Sequence, residues 1–321
     1  MTRQSLSLPA TLRPFLVHRA ALLIAVAPAL AGIGCSLKHT ALVSVADAVS
    51  GSGGAYGSDD DPELVRAAVP FGLKTMEGLA LSLPDHVPLR AAMAKGFTQY
   101  GYAFVQTDAD AVADKDPERA KALKARATRL YLRARDHGLE GLKLRHGLQA
   151  AELRGLTRVE ALKKVEKQDV ELLYWTLVPW AAAIALNKTD VSLVGDLGAV
   201  AAMLDRAIEL DEPYDQGALH EFSLSFDAAR AGGTTRVKQK AHLDRALQLS
   251  GGLRLSPSVS WAENVLVQAQ DKKGFEAELQ RVLKFDLNAP ASREDRLANT
   301  LAQQRARWLL SRVSDLFLDE S

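Results

Sequence analysis

The stretch Leu204-Asp205-Arg206-Ala207-Ile208-Glu209-Leu210 (LDRAIEL) returns 39 residues later as Leu243-Asp244-Arg245-Ala246-Leu247-Gln248-Leu249 (LDRALQL). A looser copy, Leu279-Gln280-Arg281-Val282-Leu283-Lys284-Phe285, follows after a further 36 residues. Gly78-Leu79-Ala80-Leu81-Ser82-Leu83-Pro84 has the same shape near the start. Apolar residues three and four apart lie on one face of a helix. A small residue beside them lets a second helix approach closely, and the aliphatics one turn away fill the seam to the next pair. A two-helix unit recurring at this spacing predicts stacked helical hairpins.

The flanking sequence extends the pattern. Asp59-Asp60-Asp61-Pro62-Glu63 is a helix start, with acids and a proline at its head, and its helix runs to about Leu83 and stops at Pro84. The next begins at Pro88 and carries Leu89, Met93, Phe97, Tyr100 and Phe104 at helical spacing. Asp116-Pro117-Glu118 opens a third that ends near Gly147. Asp169 to Leu186 (DVELLYWTLVPWAAAIAL) is the most apolar internal helix, and Pro179 should kink it. Later helices are expected over about 190–210, 215–230, 236–250, 257–270 and 272–286. A last one opens at Ser292, with Asp295 in capping-box order, and continues to about Leu318. No alternating strand pattern and no hairpin turn is present. The expected fold is all-α, a helical-hairpin repeat solenoid of tetratricopeptide type over residues 59–321.

The N-terminus reads differently. Arg3, Arg13 and Arg19 precede Ala20 to Ile33 (AALLIAVAPALAGI), and the chain's one cysteine, Cys35, follows. A bilayer span needs about 20 apolar residues, whereas secretory signal cores run about 7–15. Residues 1–34 are therefore expected to be a signal peptide. Ala31-Gly32-Ile33-Gly34-Cys35 resembles the cleavage box of bacterial lipoproteins, which implies lipidation of Cys35; cleavage after Ala29-Leu30-Ala31 with an incidental thiol is the alternative. Residues 35–58, with Ser50-Gly51-Ser52-Gly53-Gly54, are expected to form a flexible tether. With one cysteine no intramolecular disulfide is possible, so core packing must hold the fold.

The chain of 321 residues carries a formal charge of +1, and removing a leader with three arginines and no acid brings it to −2. That balance does not favour nucleic acid. No catalytic or metal motif emerges. The histidines His18, His39, His86, His137, His146, His220 and His242 form no H-x-x-x-H or H-E-x-x-H pair, and neither G-x-S-x-G nor G-x-x-x-x-G-K occurs. No enzyme activity and no cofactor is expected. His220-Glu221 reads as a surface or capping pair. The aromatic residues offer more. Tyr100, Tyr174, Trp175, Trp180 and Trp261 could line an apolar ligand cavity, with Glu171 and Glu263 at a polar end, or could be ordinary core.

Several stretches together carry a family resemblance: Leu89 to Val105 (LRAAMAKGFTQYGYAFV), Lys124 to Leu139 (KARATRLYLRARDHGL), Leu173-Tyr174-Trp175, and Leu210 to Asp215 (LDEPYD). Gly217-Ala218-Leu219-His220-Glu221-Phe222 and Arg296 to Arg312 (RLANTLAQQRARWLLSR) complete the set. In order and spacing these resemble TatT, the T component of tripartite ATP-independent periplasmic (TRAP) transporters, over about Pro62 to Phe317. The resemblance implies a periplasmic lipoprotein assembled as a homotrimer, and Ser36 rather than Asp after the cysteine favours the outer membrane. It further implies a cleft for an apolar or organic-acid ligand and a periplasmic substrate-binding protein as partner. The competing expectation is a tetratricopeptide-type scaffold lipoprotein that grips peptides in envelope assembly.

Overall fold

The computed structural model describes residues 40, 42–51, 53–229 and 235–318. The leader and Cys35 lie outside them, so the expected signal peptide and lipidation do too. Contacts divide the chain into Met1–Asp47 and Ala48–Ser321. Where composition predicts a tether, residues 42–50 are helical and Gly53–Gly57 forms a short helix packed on the turn Pro290–Asp295. The run ALVSVADAV within 41–49 explains the first of these, because helix formers there outweigh the glycines that follow.

The second unit is a set of packed helices, and no strand occurs among the described residues. Helix α1 (Pro62–Ser82) starts where the acids predict: Asp61 Oδ1 accepts from the Glu63 and Leu64 amides at 3.0 and 3.1 Å. Helix α2 (Val87–Tyr100) continues through a π-helical turn, Gly101–Gln106, into Thr107–Val112. Helix α3 (Pro117–His146) is capped by Asp116 and ends at Gly147. Helix α4 (Val170–Leu186) packs on α3, and α3 packs on α2. Residues 167–186 are long and apolar enough to cross a membrane, but 61% of that stretch is buried inside the protein. It is a core helix. Pro179, expected to kink this helix, is buried within it, and α4 is continuous over Val170–Leu186.

The remaining helices are α5 (Leu197–Asp211), α6 (Tyr214–Ala229), α7 (Arg236–Leu249) and α8 (Ser256–Trp261), which continues into a π-helical turn, Ala262–Leu266. They are followed by α9 (Lys272–Leu283) and α10 (Arg296–Leu310). Ser292 does not cap α10. It sits inside a 3₁₀ turn, Pro290–Asp295, with its hydroxyl donating to the Ala289 carbonyl at 3.1 Å. Pro290 fixes that turn's start and moves the helix head to Arg296.

The repeated heptads fall on α5, α7 and α9 and share one burial register. Leu204 and Ala207, Leu243 and Ala246, and Leu279 and Val282 are the buried pairs. The early copy departs from it, since Leu81 is 87% exposed. Two apolar cores concern these helices. One gathers Leu173, Leu177, Trp180, Val200 and Met203 from α4 and α5, and the other gathers Trp261, Phe275, Leu279, Ala306 and Leu309. Helix α6 serves both, giving Leu219 to the first and Leu224 to the second.

Candidate functional site

Glu221 lies on α6 between those two core leucines, at the seam where the apolar cores meet. Its Oε2 accepts a hydrogen bond from the Ser256 hydroxyl at 2.9 Å. Burial pushes its carboxyl above the usual carboxylate range, while Ser256 and Arg254 pull it back. Glu221 also acts on Tyr174 and on Tyr102, raising both phenols. Glu221 on α6 is thus bonded to the head of α8 and acts on phenols from α4 and the π-turn after α2.

Tyr102 exposes 51% of its surface, and desolvation, then Glu263, pushes its hydroxyl up to about 12. Arg305 of α10 acts on the same phenol in the opposite sense. Its guanidinium binds both Glu263 oxygens and donates to Asp110 at 3.0 Å, joining the last long helix to the segment after α2. Burial works against the Arg305 cation, but these carboxylates hold it firmly charged.

A group of aromatic rings forms around Tyr174. The Tyr174 ring meets Trp175 edge-on at 4.9 Å and Tyr214 at 5.4 Å. Lys95 stands 5.7 Å over Trp175 and 4.0 Å from Glu171. Burial raises the phenols of Tyr174 and Tyr214 well above their ordinary value, so both keep their protons. Trp175 is only 7% exposed, and its Nε1 lies toward the Tyr214 hydroxyl without reaching an acceptor in hydrogen-bonding geometry.

Three backbone irregularities converge here. The two π-helical turns supply Tyr102 and Glu263. The head of α6 contains three successive left-handed residues, Asp215, Gln216 and Gly217, at φ 43°, 56° and 94°. Such a conformation costs about 1–3 kcal/mol for each non-glycine residue and persists only where the surroundings impose it. Arg254 imposes it, donating to the Asp215 carbonyl and carboxylate at 2.6 Å each and to Asp295 at 3.0 Å. Gly217 is further required because a Cβ there would lie 3.0 Å from the Ala246 Cα. π-Turns and strained backbone cluster at functional sites.

Of the residues singled out from sequence, the structure brings Tyr174 and Trp175 together, edge-on at 4.9 Å. Trp180 is fully buried in the first core, its Nε1 donating to Asp196 at 3.0 Å. Tyr100 is buried against Phe104 at 5.6 Å, and Trp261 is buried in the second core with Arg236 at 5.9 Å. Glu263 pairs with Arg305. Sequence reasoning missed Tyr214, Glu221, Arg254 and Arg305.

The expected surface pair His220-Glu221 is corrected on both counts. His220 is buried at 8% exposure, its Nδ1 2.9 Å from His242 Nδ1 and its Nε2 3.0 Å from Glu212. Arg245 forks onto Glu212 at 2.6 Å through each of two nitrogens and holds that carboxyl at about 2. The cluster ties α6 to α7. Among the described residues no group of three or more His, Cys, Asp or Glu is arranged to hold a metal ion.

Comparison with known proteins completes the picture. The family model of the TRAP transporter T-component matches residues 58–317. An uncharacterized protein of Treponema pallidum (strain Nichols) is 29% identical over 305 residues, covering 89% of this chain and 94% of the relative.

Proposed function

The chain belongs to the TRAP transporter T-component family, and on that premise we propose that it binds a small organic molecule in the seam cleft and docks a periplasmic substrate-binding protein. The family is a transporter-associated component and not an enzyme family. The observation that carries the ligand reading is the group of rings Tyr174, Trp175 and Tyr214 at the left-handed head of α6. Of the ligand classes implied by resemblance, an apolar body suits the ring faces of Tyr174, Trp175 and Tyr214, and an organic acid must meet a lining already rich in carboxylates. In this reading the body is a stack of hairpin units, supported by the burial register that α5, α7 and α9 share. A lipid on Cys35 holds it to the periplasmic face of the outer membrane, and three copies assemble.

The docking reading is tested by mixing the full chain with a TRAP substrate-binding protein from the same organism and following co-migration on size exclusion. A stable complex is expected. Failure to associate with every such protein the organism encodes would overturn it, and capture of extended peptides instead would favour the envelope scaffold.

A further inference from the structure

Helix α3 carries seven cations and no acid from Arg119 to Arg135. Arg133 pairs with Glu77 and Arg135 with Asp136. The other five, Arg119, Lys121, Lys124, Arg126 and Arg129, are exposed and make no ion pair among the described residues. Elsewhere the chain sets an acid one turn from a helix cation, as in Lys74–Glu77, Glu140–Lys143 and Arg206–Glu209. On α3 the neighbours three and four apart are of like sign: Lys121 with Lys124, Arg126 with Arg129, and Arg129 with Arg133. Such pairs weaken a helix. The nearest acids before them, Asp116 and Glu118, stand at the helix head, where Asp116 accepts from the Arg119 amide at 2.9 Å. Ala120, Ala127, Tyr131 and Ala134 form the buried side, so the cations occupy the exposed arc.

A groove of about 400 Å³ runs along this helix beside the end of α4. Lys121 and Lys124 line it together with the apolar Ala113, Pro117, Ala120 and Leu186. The Asn187 amide donates to Thr128 Oγ1 at 3.0 Å and places Lys188, also exposed and without an ion pair among the described residues, next to α3. Three of the five free cations are arginines, whose planar fork matches a carboxylate through two parallel hydrogen bonds. From Arg119 to Arg129 the band extends roughly 15 Å, within the span of one protein contact.

We propose that the exposed side of α3 docks an acidic face of a partner protein, with carboxylates on its cations and an apolar side chain seated in the groove. A plane of lipid headgroups would call on the charge alone, whereas a protruding side chain also fills the apolar walls. This inference rests on the docking reading and gives that partner its place and its charge.

The test uses the full chain and each TRAP substrate-binding protein that the same organism encodes, with affinity read by calorimetry. Lys121→Glu combined with Lys124→Glu should weaken association at least about tenfold, because each change exchanges attraction for like-charge repulsion. Lys124→Gln should give a smaller loss in the same direction, and binding by the natural chain should weaken as salt is raised. Lys272→Glu combined with Lys273→Glu, the same charge change on the exposed head of α9, should leave affinity unchanged. Equal losses from the two pairs, or none from the α3 pair, overturn the α3 surface while docking itself stands. If the natural chain binds no such protein, the docking reading falls and this inference with it. Capture by phosphatidylglycerol vesicles that the α3 pair abolishes, with protein association intact, assigns the face to lipid and overturns the proposal too.

Discussion

Gly138 holds the tightest crossing between α3 and α4. A Cβ built there would lie 2.2 Å from Thr176 Oγ1 and 3.0 Å from the Thr176 Cα, so even alanine forces the helices apart. Thr176 cannot turn away freely, since it is fully buried and its hydroxyl donates to the Leu172 carbonyl at 2.6 Å. Gly138→Ala should cost about 1–3 kcal/mol of stability, the range for overpacked cores, read as a lower denaturant midpoint. Thr176→Ala in the same chain should recover part of the loss, and an additive pair would refute the contact.

At the scale of elements, the α6–α7 pairing depends on pH through its histidines. Burial lowers the His242 pKa and His220 lowers it further, with Asp227 opposing; His137, buried between Arg90 and Glu77, shifts the same way. A folded-state value below the ordinary 6.5 means that the unfolded chain takes up more protons below that pH. The stability these histidines contribute is present above 6.5 and falls as pH drops through it. Glu221 acts in the opposite sense, losing stability as pH rises past 4.5, while the Glu212 contribution is lost only as pH falls from 4.5 toward about 2. Denaturation midpoints between pH 7.5 and 5.5 should therefore fall less steeply for His242→Gln than for the natural chain. Identical slopes would show that His242 carries none of the effect.

Elements are also where sequence reading succeeded and stopped. Asp61, Asp116 and Gly147 mark helix ends because capping is local chemistry, decided within four residues. A π-turn leaves no such mark, since it is one residue more than the α-helix needs and nothing in GYAFVQ or AENVL announces it. That extra residue changes which side chain after Tyr100 meets the cleft. Helical spacing therefore selected Tyr100, which is buried, over Tyr102 two places on. Trp180 was misplaced for a different reason: its partner Asp196 is sixteen residues away, and no local pattern predicts that bond. Arg254 carries no sequence signal and Glu221 reads only as half of a pair with His220, because both matter only once two cores leave a seam between them.

For the whole molecule, Arg305 is one of the ties between the two ends of the chain, 195 residues from its partner Asp110. Its side chain is 14% exposed, and removing it leaves Glu263 and Asp110 without a counter-charge. Arg305→Met should cost about 1.5–3 kcal/mol, the range for hydrogen bonds to charged groups. Adding Glu263→Gln and Asp110→Asn should return most of it, and thermal unfolding of the three chains distinguishes a charge effect from lost packing.

That tie also orders events during synthesis. Asp110 leaves the ribosome early and waits, while the cation that pairs with it is among the last residues made. The pairing cannot form by degrees; it is complete only once translation is all but finished. A product cut short before residue 305 would leave Asp110 and Glu263 with that cation missing.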